Sequence, residues 1–323
     1  MNLYWISDIT DLESVADGLI RGGIRNSTAS SYSSAQKIYI DFCQALRLPA
    51  LPTDERSLMT FLAYLHKKGL SFSAINVYLS AVRNLNIING YSVPLCRSPR
   101  IKLALKCIKD MSKEPARKEP ITLQLLKDLW PVIVDSQDSL MWQSLISLAF
   151  YGSMRCSEYT PGPVGTHFPA IQNITFSHNG QYMYYKVPKC KTLSNGFTCT
   201  LACSGSVICA LCCTVTYLQH RVTSGQVSAG SPLFVTASGK QVCSKQVNTY
   251  IKQIVAAVGF QASKYSAHSL RAGAASTAAR AGFRDWEIKL LGGWKSSTYT
   301  QYIRDNNKHA ANFSRRMANA VSH

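Results

Sequence analysis

The sequence predicts a mainly α-helical protein with a small β-sheet, arranged as an N-terminal helical bundle followed by an α+β domain. Three observations carry this expectation. Apolar residues recur at three- and four-residue steps through the first third of the chain. A proline-rich, charged segment without large apolar residues then interrupts the pattern, Ser112-Lys-Glu-Pro-Ala-Arg-Lys-Glu-Pro120. Alternating aromatic segments occur only beyond it.

In order along the chain, Tyr32, Ala35, Tyr39, Phe42 and Leu46 fall on one stripe of a helix that ends before Pro49 and Pro52. Leu58, Phe61, Leu62 and Leu65 form a second stripe, closed by Gly69. A third starts near Ser73 and runs through Ile75, Tyr78, Leu79, Val82 and Leu85 to Gly90; a fourth holds Ile101, Leu105 and Ile108. Four short helices make a bundle over residues 1–111 whose exposed Lys and Arg can grip phosphates. Residues 112–120 read as an exposed, semi-rigid linker, and two domains joined in this way can close around a duplex. In residues 121–323, helical stripes are expected at 123–129, 140–151, 207–220, 247–258, 268–281 and 285–291. Segments 171–176 and 182–187 read as strands of a hairpin turned at Asn179-Gly180.

Charge narrows the function. The chain has 35 Lys and Arg against 17 Asp and Glu, a formal +18. A polyanion is the partner that best neutralises such an excess, and a duplex presents one phosphate charge every ~1.7 Å of its axis. Membrane-surface binding is the rival, but no basic stripe lies opposite bulky apolar residues, and no run of about 18 apolar residues suggests a span. The acidic opening, with Asp8, Asp11, Glu13 and Asp17, suits neither a signal nor a transit peptide. Eleven cysteines without a secretory signal read as reduced thiols. Cys209 and Cys212 have a zinc-like spacing within a group that includes Cys199, Cys203 and Cys213. No second C-x-x-C or H-x-x-x-H half accompanies them, so they read as small buried hydrophobes beside Ile208, Leu211 and Val215. No metal or other cofactor is expected.

Four short motifs bear on chemistry. Arg155 and Glu158 stand three apart after an apolar helix, a spacing that is often mere surface decoration. Val187-Pro-Lys189-Cys-Lys191-Thr places lysines in a loop after a strand, where lysines are usually just solvated. His268 and Arg271 open a helix of small residues, Ala272-Gly-Ala-Ala-Ser-Thr-Ala-Ala. They share one face near unpaired backbone N–H groups that favour an anion, and the small residues let another backbone or a ligand come close. Trp294, Tyr299 and Tyr302 would each pass for core aromatics.

Taken in this order, Arg…Lys…His-x-x-Arg…Trp…Tyr resembles the catalytic domain of tyrosine recombinases, the phage-integrase family, and the first third resembles that family's helical core-binding domain. The resemblance spans roughly residues 10–315 and is most specific from Ala267 to Arg304. Trp at 294 and the Tyr-Ile-Arg ending look most like recombinases of eukaryotic mobile elements, of the DIRS or Crypton kind.

The resemblance implies a phosphoryl transfer through a protein-bound intermediate without a metal. Tyr302 then matches the nucleophile, with Tyr299 as its competitor; Tyr302 is favoured because it stands eight residues after Trp294 and precedes Ile-Arg. Arg155 and Arg271 match the two arginines that clamp the non-bridging oxygens, a task suited to planar forks. His268 matches a phosphate ligand that helps move protons, Lys191 (or Lys189) the acid for the leaving oxygen, Trp294 a group lining the pocket, and Glu158 a supporting acid. The segment Pro161–Pro169 departs from the family's usual short loop. The implied partner is double-stranded DNA, bound by a homotetramer on paired sites with no membrane involved. The implied location is the nucleus of a eukaryotic host, or otherwise the cytoplasm. Two alternatives share these residues: a type IB topoisomerase-like nicking-closing enzyme, and a domesticated DNA-binding protein that no longer cuts.

Overall fold

The structure is a computed structural model, and it describes residues 9–92, 98–112, 117–162, 167–188, 196–225, 227–294 and 296–302. The chain divides into two compact units, residues 1–115 and 116–323.

The first unit is helical throughout: α1 (Ile9–Gly22), α2 (Asn26–Ala45), α3 (Glu55–Lys67), α4 (Phe72–Ile88) and α5 (Pro99–Met111). The apolar stripes become its core, where Tyr39, Phe61, Leu62, Leu65, Ile75, Val82, Ile101 and Ile108 are buried together. Side-chain caps mark the starts: Asp54 accepts the Ser57 N–H, Ser71 that of Ala74 and Ser98 that of Ile101. Gly69 and Gly90, at φ +75°, carry the chain out of α3 and α4 in the left-handed conformation. The expected four helices are therefore five among the described residues. The addition is α1, which buries no residue and leaves Ile9, Leu12 and Leu19 exposed.

The second unit contains α6 (Leu123–Val134), α7 (Ser139–Tyr151), α8 (Cys156–Tyr159), β1 (Ile174–Phe176), β2 (Tyr182–Val187), β3 (Phe197–Ala202), α9 (Ala210–Thr223), α10 (Ser244–Ala257), α11 (His268–Arg280) and α12 (Asp285–Gly292). A 3-10 turn follows at Ser297–Tyr302. The sheet is antiparallel in the order β1-β2-β3, with Thr175 opposite Tyr184 and Tyr185 opposite Cys199. The β1–β2 turn falls at Asn179-Gly180, with Gly180 at φ +66°. The hairpin strand expected from residue 171 begins at 174, because Ile171–Asn173 is a 3-10 turn. β3 was not expected. Its inward Cys199 and Leu201 alternate with exposed Thr198, Thr200 and Ala202, a face too weakly apolar to stand out in sequence.

Helix α7 lies at the centre of this unit, buried from Met141 to Phe150 on almost every side and packed on α9 and α11. The small residues of α11 admit a neighbouring backbone. Ile121 donates its N–H to the Ser269 carbonyl at 2.9 Å, and a Cβ on Gly273 would stand 1.7 Å from the Ile121 oxygen. That contact fixes α11, with His268 and Arg271, against the start of α6. No helix among the described residues is long and apolar enough to cross a membrane.

Candidate functional site

The site is assembled from three short segments of the second unit. The first is the turn after α7. Ser153 holds a left-handed φ of +47° and turns its carbonyl toward α11, where Arg271 donates to it. Arg155 then caps the one-turn helix α8. Its backbone N–H and its guanidinium each donate to the Glu158 carboxylate at 2.8 Å. Glu158 is 1% exposed, so its charge is held by partners rather than by water. The Glu158 carbonyl in turn accepts the hydroxyl of buried Tyr185 at 2.6 Å, which ties β2 to this turn.

The second segment is the start of α11. Arg271 is completely buried. One guanidinium nitrogen bonds the Ser153 carbonyl and lies 4.0 Å from the Glu158 carboxylate, while the other donates to the Gly292 carbonyl at 2.8 Å. Burial, then the nearby Arg155 charge, pulls the guanidinium down to about 10, and Glu158 and Tyr302 oppose that shift. Its Nε has no hydrogen-bond partner among the described residues. One turn earlier, His268 reaches the surface. Partial desolvation, then Arg271 and Arg155, lower its pKa below the usual imidazole value and favour the neutral ring near pH 7.

The third segment follows α12. Gly293, at φ +60°, turns the chain so that Trp294 folds back over Gly292 and covers Arg271, its ring centroid 3.9 Å from the guanidinium carbon. A Cβ on Gly292 would stand 2.0 Å from that indole. The two tyrosines of the 3-10 turn then part. Tyr299 is buried, and its hydroxyl donates to the Asp285 carboxylate. Tyr302 is half-buried and lies between His268 and Trp294, with ring centroids 5.0 Å and 6.1 Å away. Its backbone carbonyl accepts the Ser276 hydroxyl at 2.7 Å.

Of the residues singled out in sequence, six converge: Arg155, Glu158, His268, Arg271, Trp294 and Tyr302. Lys189 and Lys191 lie outside the described residues, as does Arg304. Sequence reading missed Ser153 and Gly292, whose contribution is a backbone carbonyl, and Asp285, which engages Tyr299. Only the left-handed turn Gly292-Gly293 left a trace in the sequence. The cysteine group departs from expectation as well. Cys199, Cys209 and Cys213 are buried, but Cys203 and Cys212 are exposed, because they flank the open end of β3 and the first turn of α9.

This architecture, a helical protein with a small three-stranded sheet beside an Arg–His–Arg–Trp–Tyr cluster, is the tyrosine-recombinase fold. Residues 206–309, which include His268, Arg271, Trp294 and Tyr302, match the phage integrase family. The Tn1549 transposon integrase, solved in complex with transposon right end DNA, superposes with a TM-score of 0.64 at 13% identity, over 92% of this chain and 96% of that one. A lambda integrase dimer bound to a core site gives 0.59 at 16% identity, over 92% and 96%. The XerH site-specific recombinase bound to its difH substrate gives 0.55 at 17% identity, over 80% and 69%. No curated protein sequence matches the chain.

Proposed function

We propose that this chain is a site-specific DNA recombinase that cleaves and rejoins duplex DNA through a 3′-phosphotyrosyl link on Tyr302. The observation that carries the reading is the position of Tyr302, packed between His268 and Trp294 directly above the Arg155–Glu158–Arg271 network. The net charge of +18 and the likeness in fold to integrases solved on DNA support duplex DNA as the partner.

In this reading the Tyr302 oxygen attacks the scissile phosphorus, the phosphotyrosyl bond forms, and the 5′-oxygen departs with a proton from Lys191 or Lys189. The phenolic proton goes to His268, whose lowered pKa leaves the ring neutral and able to accept it. Arg155 and Arg271 offset the charge that builds on the non-bridging oxygens, a contribution of about 3–4 kcal/mol for each donor in comparable sites. Rejoining is the same sequence in reverse, with a 5′-hydroxyl as nucleophile. Glu158 touches no substrate here; it positions both arginines. Since Arg271 is completely buried, its Nε included, beneath Trp294, phosphate reaches its remaining N–H donors only after the covering side chains, Trp294 among them, shift. DNA binding therefore completes the site.

The finer reading is an enzyme of a mobile element, of the DIRS or Crypton kind, acting as a homotetramer on paired sites in the nucleus of its host. The N-terminal bundle acts as the core-binding domain. Incubation with a nicked suicide duplex, without added divalent metal, tests the chemistry. A covalent protein–DNA adduct is expected from the native chain and from Tyr299→Phe, and none from Tyr302→Phe. Relaxation of supercoiled plasmid without strand exchange would instead mark a nicking-closing enzyme. Tight, salt-dependent binding with no adduct on any substrate would mark a DNA-binding protein that does not cut.

A further inference from the structure

Away from the tyrosine cluster, the second unit gathers three thiols that the proposed recombination chemistry does not use. Cys203 follows β3, Cys209 caps α9 and Cys212 lies in the first turn of that helix. Their sulfurs all lie within 4.8 Å of one another, and those of Cys203 and Cys212 are 3.6 Å apart. Backbone bonds hold the three in register. The Cys203 N–H donates to the Gln181 carbonyl at 2.9 Å, the Cys209 N–H to that of Ser206 at 2.9 Å, and the Cys213 N–H to that of Cys209 at 2.9 Å. Four cysteines of this stretch are thus used differently: Cys199 and Cys213 fill the core, whereas Cys203 and Cys212 reach solvent.

A tetrahedral zinc ion with Zn–S bonds of ~2.3 Å separates its sulfurs by about 3.8 Å. The Cys203–Cys212 spacing is close to that value and the other two exceed it by at most about 1 Å, so only small side-chain rotations are needed to close the cluster on an ion. The surroundings favour thiolate. The Ser204 N–H donates to the Cys209 sulfur at 3.3 Å, and Cys209 stands at the positive end of the 14-residue helix α9.

We propose that Cys203, Cys209 and Cys212 form a three-thiolate site for one Zn²⁺ ion that pins the end of β3 to the start of α9. Soft sulfur ligands in this number select zinc over the hard cations. Binding forms three Zn–S bonds and releases the thiol protons to solvent, with no change in oxidation state. The exposed side of Cys203 and Cys212 leaves the fourth position to water. The site is structural and independent of the chemistry proposed for Tyr302.

Titration of the reduced, metal-free full chain with Co²⁺ tests this directly. One equivalent is expected to raise a thiolate-to-cobalt charge-transfer band with the visible bands of a tetrahedral site, and one equivalent of Zn²⁺ to abolish them. Cys203→Ser and Cys212→Ser alter exposed side chains that the core does not need, so both variants should fold and lose the band. Cys107→Ser, at an exposed thiol in the other unit, should keep it. Zn²⁺ should raise the Tm of the native chain and leave that of Cys212→Ser unchanged. The absence of a band in reduced protein, an equal band in Cys203→Ser and Cys212→Ser, or a Cys203–Cys212 disulfide under reductant with no metal uptake would overturn the proposal. None of these readouts involves DNA, so their failure and that of the recombinase reading are separable.

Discussion

Replacing Arg271 by Met tests whether the buried charge network carries the stability of the second unit. The side chain is completely buried and donates to the Ser153 and Gly292 carbonyls, beside a Glu158 carboxylate that is 1% exposed. Hydrogen bonds from a charged donor contribute about 1.5–3 kcal/mol each, and two are lost. Methionine avoids the desolvation cost of a guanidinium, which offsets part of that loss. Glu158, however, keeps only Arg155 as its cationic partner, so the net cost is expected at about 3–5 kcal/mol, as for other buried pairs broken from one side. Adding Glu158→Gln removes the stranded carboxylate, and the pair should recover about 1–3 kcal/mol through coupling. Urea unfolding followed by tryptophan fluorescence suits the measurement, because Trp130, Trp142, Trp286 and Trp294 lie in the second unit and only Trp5 in the first. A loss below about 1 kcal/mol for Arg271→Met, or a double variant less stable than the single, would refute the pairing argument.

The same physical picture sets further outcomes. Gly273→Ala, whose Cβ would stand 1.7 Å from the Ile121 carbonyl oxygen, should cost at least the ~1–3 kcal/mol of an overpacked core or abolish folding. Gly230→Ala, with open space around it, should be neutral in the same urea unfolding experiment. Gly292→Ala should drive Trp294 off Arg271, reducing adduct formation while the far-ultraviolet circular dichroism stays native. NMR titration should place His268 below the ordinary 6.5, and Arg155→Gln should move it back up. With the folded pKa lowered, the unfolded chain binds more protons between that value and 6.5, so stability rises with pH through this window. His268→Gln should flatten that rise in pH-dependent melting.

Much of the fold was legible because its signals are local. The stripes through Tyr39, Phe61 and Ile75 became the core of the first unit, and the glycine stop at Gly69 became a helix end. What escaped is long-range or weakly patterned. Helix α1 buries no residue, so burial does not distinguish its apolar residues from those of a loop. Strand β3 is built from Thr and Cys, and its alternation matters only against β2. The order of the site residues could be read directly. Their mutual support could not, since it runs through the backbone carbonyls of Ser153 and Gly292 and through Glu158 serving both arginines. The choice between tyrosines rested in sequence on spacing from Trp294. In the structure Tyr299 engages Asp285 while Tyr302 faces His268, a difference of environment that spacing alone does not encode. The cysteines show the converse: their zinc-like spacing was discounted for want of a second ligand pair, yet Cys203, distant in motif terms, completes a cluster across the sheet end.

Locating the DNA link on the chain is the most direct measurement of all. The covalent complex trapped on a suicide duplex, digested with nuclease and protease, should yield one peptide that carries a nucleotide phosphate, with fragmentation assigning it to Tyr302. A phosphate on Tyr299, on a serine or on a cysteine, or no modified peptide from a complex that survives denaturation, would contradict Tyr302 as the nucleophile.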